Sequence, residues 1–164
     1  MPRYLIDILT GNYANTFLKM SVIKIGKTYE FTYDTGRFAK LDINTLDTVK
    51  KLSLIALIMD MNDRNENHLI TGSTYLLDRE LIYSAGMIIN ENTIKLMFRP
   101  DLTNSTFIYK LCAFTNSILD KNNSKECFVL KKLCDLISSG DDNKVRRYID
   151  KSIERTCGNI GDEV

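Results

Sequence analysis

Thr45-Leu-Asp-Thr-Val-Lys-Lys-Leu-Ser-Leu-Ile-Ala-Leu-Ile-Met-Asp-Met61 is the stretch on which the fold turns. Its length and spacing predict a helix, and its second half, Leu54 to Met59, is apolar around nearly the whole circumference. Such a helix belongs in a core, so the segments before and after it must supply the layers that cover it.

The segments before it read as strands. Tyr4 to Leu9 is a short apolar run leading to Gly11-Asn12. Phe17 to Ile25 and Thr28 to Tyr33 then flank a two-residue Gly26-Lys27 turn, and Tyr29, Phe31 and Tyr33 alternate with Glu30, Thr32 and Asp34. That alternation predicts a hairpin with one aromatic face and one wet face.

Beyond the central helix, Asn62 to Ser73 is polar and reads as loop. Met87 to Ile89 and Thr93 to Phe98 predict a second hairpin around Asn90-Glu91-Asn92, closed by Pro100. Phe107, Ile108, Leu111, Cys112, Phe114, Ile118 and Leu119 follow helical spacing after a cap at Asn104 or Ser105. Ser124 caps a helix reaching Ile137, Ser138-Ser139-Gly140 ends it, and Asp141 caps a last helix with Val145, Tyr148, Ile149 and Ile153. The expected fold class is α+β. We read a single domain over residues 1–158, with a small antiparallel sheet lobe at 1–36, a mainly helical lobe with one β-hairpin at 37–158, and a frayed tail at 159–164.

The 164 residues are 44% apolar and 26% charged, as in an ordinary globular chain with one core. With 22 basic and 21 acidic residues the net charge is +1, so no strong field recruits nucleic acid or an anionic membrane. Leu52 to Met59 is too short to span a bilayer, and the N-terminus lacks the long apolar core of a signal peptide.

Cys112, Cys127, Cys134 and Cys157 form no C-x-x-C pair and accompany a single histidine, too few ligands for zinc. We expect free, buried thiols, with Cys127 and Cys134 on one helix face. His68 has no nucleophile in a recognisable setting and reads as a solvated loop residue. Without a basic surplus beside them, Tyr29, Phe31 and Tyr33 read as a core-facing row rather than a base-stacking platform. No catalytic set, metal site or cofactor is implied. Lys144, Arg146, Arg147 and Lys151 make the last helix basic on one side, the one candidate partner surface, although Asp141, Asp142, Asp150 and Glu154 dilute it.

The order of a small sheet, a short connection, a buried helix, a loop, a hairpin and then helices resembles a reduced protein kinase. Thr28 to Leu41 resembles the last strand of a kinase small lobe running into its hinge, and Leu76-Leu-Asp-Arg-Glu-Leu-Ile-Tyr83 resembles a catalytic loop. The chemistry is missing. Asp78 falls near the place of the base, Ile82-Tyr83 supplies no magnesium ligand, and Met97-Phe98-Arg99 stands where Asp-Phe-Gly would be. Val22-Ile-Lys-Ile25 looks like the lysine strand, but the Gly26 turn leaves no room for the helix carrying its glutamate.

Tyr75 to Tyr83, with the trailing Asn90-Glu-Asn-Thr-Ile-Lys-Leu-Met-Phe-Arg-Pro100, is similar to the cytosolic pseudokinase domain of the EssB/YukC family of type VII secretion proteins. It is also similar to the related domain that precedes forkhead-associated modules. Coverage runs over residues 17–137. The resemblance implies a non-catalytic scaffold that contacts proteins of a membrane secretion assembly and self-associates weakly. It further implies a cytoplasmic domain tethered to the inner membrane face only through an anchor outside this chain. The alternatives are a nucleotide-binding or weakly active kinase-like protein, and a viral or phage antagonist.

Overall fold

The computed structural model describes residues 1–158. Among them the architecture is mixed α+β, with five α-helices and two small antiparallel sheets. The expected frayed tail at 159–164 lies outside the described residues.

Tyr4 to Leu9 forms no strand. It lies in helix α1 (Arg3–Thr10), with Leu5 and Leu9 buried one turn apart and Pro2 just before the first turn. A short apolar run suits a strand or a helix equally on pattern alone, and the burial of residues four apart is what the core selects. Gly11 closes the helix by donating to the Asp7 carbonyl at 2.9 Å.

β1 (Lys19–Ile25) and β2 (Thr28–Asp34) pair antiparallel, with Ile25 opposite Thr28 across the two-residue turn. Gly26 takes φ +62°, the positive value such a turn needs at its first position. Met20, Val22, Phe31 and Tyr33 face the core, while Ile23, Ile25 and Glu30 face outward. Ahead of β1, Leu18 donates to the Leu96 carbonyl at 2.8 Å and Leu96 donates to Thr16 at 2.9 Å. The N-terminal segment is thereby tied to the second sheet.

That sheet has the order β3 (Ala39–Lys40), β4 (Ile82–Ser84), β5 (Ile94–Leu96). Met87 to Ile89 is not its strand, contrary to the sequence pattern. Ile82 pairs with Leu96 and Ser84 with Ile94, while Met87 and Ile88 lie exposed in the connecting loop. Both apolar runs alternate acceptably, but Ile82 reaches complete burial opposite Leu96, and this selects the register.

The central helix α2 runs over Thr48–Glu66, starting where Asp47 accepts the Lys50 amide at 2.8 Å. Leu52, Leu54, Ile55, Ile58, Met59 and Met61 are almost wholly buried, and Leu57 is partly exposed. The helix continues past Met61 to Glu66, and Asn62 and Asn65, polar in type, lie on its inner face, where the Asn62 amide donates to Glu66 at 3.1 Å. Thr106 caps α3 (Phe107–Ile118) rather than Asn104 or Ser105, and Asn123 caps α4 (Ser124–Ser138) rather than Ser124. α5 (Asp142–Gly158) begins as expected, with Asp141 accepting the Lys144 amide at 3.0 Å.

The helices pack in the sequence α3 on α4, α4 on α5, and α5 on α2. One core joins them to both sheets, and its centre is the edge-on contact of Phe17 with Tyr75 and Phe98, ring centres 5.2 and 5.3 Å apart.

Candidate interaction surface

The four basic residues of the last helix do not form one surface. Arg146 turns toward α2 and holds Asp60 and Asp63, the latter at 2.9 Å, which makes it a strut between α5 and α2. Lys144 lies 3.0 Å from Asp141 at the start of its own helix. Arg147 and Lys151 alone stay exposed and make no ion pair among the described residues. A one-sided basic run was visible in sequence, but which lysine or arginine reaches across to another helix depends on packing.

The expectation of buried thiols is not met: two of the four lie in solvent and the other two are only half-buried. Cys127 and Cys157 are exposed, because each falls on the outward side of its helix. Cys112 and Cys134 are half-buried and share the Asn116 amide, which lies 3.7 Å from one sulfur and 3.3 Å from the other. Burial, and then the neighbouring Cys112 thiol, pushes the Cys134 thiol up to about 12.

Three lysines are buried among the described residues, and their partners are structural: Lys95 Nζ donates to Asn15 Oδ1 at 2.8 Å and to the Glu91 carbonyl at 3.3 Å. Lys110 Nζ meets Asp101 at 2.7 Å and the carbonyls of Gly72 and Tyr75 at 2.9 and 2.6 Å, which occupies all three of its protons. That hydrogen bond from Lys110 prevails over burial and, with help from Thr103, holds the Asp101 carboxyl down at about 2. Lys51 pairs with Glu126 at 3.0 Å. Burial pushes the Glu126 carboxyl up, but hydrogen bonds from the Asp120 amide, Lys51 and Thr48 outweigh it, and the net shift is downward.

The positions compared with kinase chemistry are occupied as follows. Asp78 accepts the Glu80 amide at 2.9 Å and caps the 3-10 turn Arg79–Leu81. Phe98 is in the core, and Lys24 is exposed beside the Tyr29 ring. His68 is exposed at a small cleft that Tyr13, Arg64, Asn67 and Glu91 also line. Among the described residues, no group of three His, Cys, Asp or Glu side chains is placed to hold a metal ion. Among them also, no helix is long and apolar enough to cross a membrane.

Two surfaces flank α5. On the α2 side is an open groove of about 770 Å³ with Leu57, Ile89 and Ile153 in its floor. Asp60, Asp63, Glu91 and Asp150 stand around it. Arg146 and Arg64 pair with three of these four carboxylates, which leaves the groove negative. Burial pushes the Asp63 carboxyl up; Arg146 opposes this, but Asp142, Glu66 and Asp60 reinforce it, so negative charge is crowded here. On the α4 side, Phe128 and Val129 face Tyr148 across a groove that Lys125 and Arg155 border. Phe128 is 72% exposed, the one phenylalanine among the described residues that lies open to solvent.

Neither surface stood out in sequence, since each draws on segments far apart in the chain. The exposed Phe128 was the one signal: it breaks the run Lys125, Lys131, Lys132 on the wet side of a helix. Compared with known proteins, the chain matches no family model, no curated protein and no solved structure.

Proposed function

We propose that this chain is a non-catalytic protein-interaction module with a reduced kinase-like layout. In this reading it serves as the cytoplasmic scaffold domain of a type VII secretion assembly, held at the membrane by an anchor outside the chain. The observation that carries the reading is Asp78. At the position that the kinase resemblance assigns to a catalytic base, Asp78 accepts a backbone amide and caps a 3-10 turn, and Met97-Phe98-Arg99 has a core phenylalanine where that resemblance would need a metal ligand. Further support comes from the element order after α1, in which a two-stranded hairpin and the short β3 precede a buried helix, a 3-10 turn, the strands β4 and β5 that complete the second sheet, and then helices. A domain without chemistry acts through its surface, and the two open grooves beside α5, one ringed by carboxylates and one lined by Phe128, Val129 and Tyr148, are suited to contact.

The test has two arms. Purified protein with ATP and magnesium should show neither hydrolysis nor a rise in melting temperature, since a ligand that bound the native state would stabilise it by mass action. A pulldown from cells should recover secretion-machine components. Turnover that disappears in Asp78→Asn would overturn the reading.

A further inference from the structure

The negative groove beside α2 has a definite complement, and it lies on the same chain. Its apolar floor calls for a large side chain on a helix, and its excess of negative charge, four carboxylates against Arg64 and Arg146, calls for cations at the neighbouring turns of that helix. The outer face of α4 presents Lys125, Phe128 and Lys132 at positions i, i+3 and i+7, which lie along one stripe of a helix. All three are exposed, and neither lysine makes an ion pair among the described residues. One acid, Asp135, lies near the end of the stripe and trims its charge.

We propose that the groove formed by α2, α5 and the loop at residues 85–93 receives α4 of a second copy, with Phe128 as the anchor. Lys125 and Lys132 then face Asp150, which has no ion pair among the described residues, and the Asp60 and Asp63 carboxylates, which share the one Arg146 guanidinium. The inference rests on reading the chain as a contact-making module and names the partner of one surface.

Because knob and groove are different surfaces of one molecule, the contact is heterologous. It leaves a free groove at one end of a pair and a free knob at the other, so growth continues into short chains or closes as a ring. The net charge of +1 is then a poor description of the molecule, which carries separated patches of opposite sign. A contact through one helix and one aromatic anchor belongs among small, transient interfaces, so it weakens as salt screens the pairs.

Sedimentation velocity on the intact chain tests this. Mass should rise with protein concentration at low salt, and association should fall about tenfold in high salt as exposed charges are screened. Two variants alter only exposed side chains that make no ion pair among the described residues: Lys125→Glu with Phe128→Ala and Lys132→Glu breaks the knob, and Asp150→Lys breaks the groove. Each should be monomeric alone with an unchanged circular dichroism melt. Mixed, the knob of one and the groove of the other are intact, so a 1:1 complex should form and nothing larger. A wild-type chain that stays monomeric, or variants that associate as before, would overturn the inference. So would a mixture that stays monomeric. If the protein is monomeric yet still recovers secretion components from cells, this inference fails and the proposed function stands. If it associates as described but turns over ATP, the reverse holds.

Discussion

Lys51 Nζ on α2 lies 3.0 Å from Glu126 Oε2 on α4, with both side chains almost out of solvent. Thr48 adds a hydrogen bond of 2.9 Å and the Asp120 amide one of 2.6 Å, so the carboxylate is fully held. The pair joins the central helix to the helical layer at a point where neither is apolar.

Removing one member of this pair leaves the other charge buried. Lys51→Met should therefore cost about 3–5 kcal/mol, whereas Lys51→Met with Glu126→Leu should recover most of that loss. Urea denaturation of the two variants checks it, and equal losses would show that the buried charge is not what matters.

Stability at low pH should depend on Asp101. Its folded-state value of about 2 lies below the ordinary 3.8, so its contribution is complete above about pH 4 and is lost as pH falls toward 2. Glu126 shifts in the same direction and adds to the loss. Denaturation midpoints between pH 5 and 2.5, both approximate limits of a practical titration, should fall steeply in wild type and more gently in Asp101→Asn.

Ile58 is wholly buried on α2, while Leu57 next to it borders the groove. Ile58→Asp should cost several kcal/mol, on the order of 4, by burying an unpaired charge, and Leu57→Asp distinctly less. Comparable melting of the two would contradict the orientation of the helix.

Arg146 and Arg147 are neighbours with different roles. Arg146→Ala removes the strut to Asp60 and Asp63 and should lower stability by about 1 kcal/mol, and Arg147→Ala should change it by less than about 0.5 kcal/mol. Thermal melts at low and high salt distinguish them, since only the first difference should shrink with salt.

Thiol reactivity should divide the cysteines. Cys127 and Cys157 should react at once with a disulfide reagent in the native protein, and Cys134, half-buried with its thiol raised to about 12, should react last. Four equal rates would mean that α3 and α4 separate readily.

What could be read from the chain directly was whatever depends on neighbours within a few residues. The all-round apolar face of Leu54 to Met59 required a central helix, and Gly26-Lys27 between alternating runs required a hairpin, because periodicity and turn geometry are local properties. The cap at Asp141 and the stop at Gly140 belong to the same class. The candidate surface was only partly legible: the basic run on α5 was seen, but its grouping as a site was not sustained.

The rest was settled by tertiary packing. Tyr4 to Leu9 is a helix because Leu5 and Leu9 find one core, and β4 is Ile82–Ser84 rather than Met87 to Ile89 because Leu96 accepts one register. Asn62 and Asn65 continue α2 although their type suggests a loop. Arg146 reaches inward, Cys127 lies outside, and the carboxylates of α2, α5 and the loop at 85–93 meet around one groove. Each outcome depends on side chains far apart in sequence being buried or opposed in space. Amino-acid type sets how costly burial is for each residue, but only the assembled core sets which of them is buried.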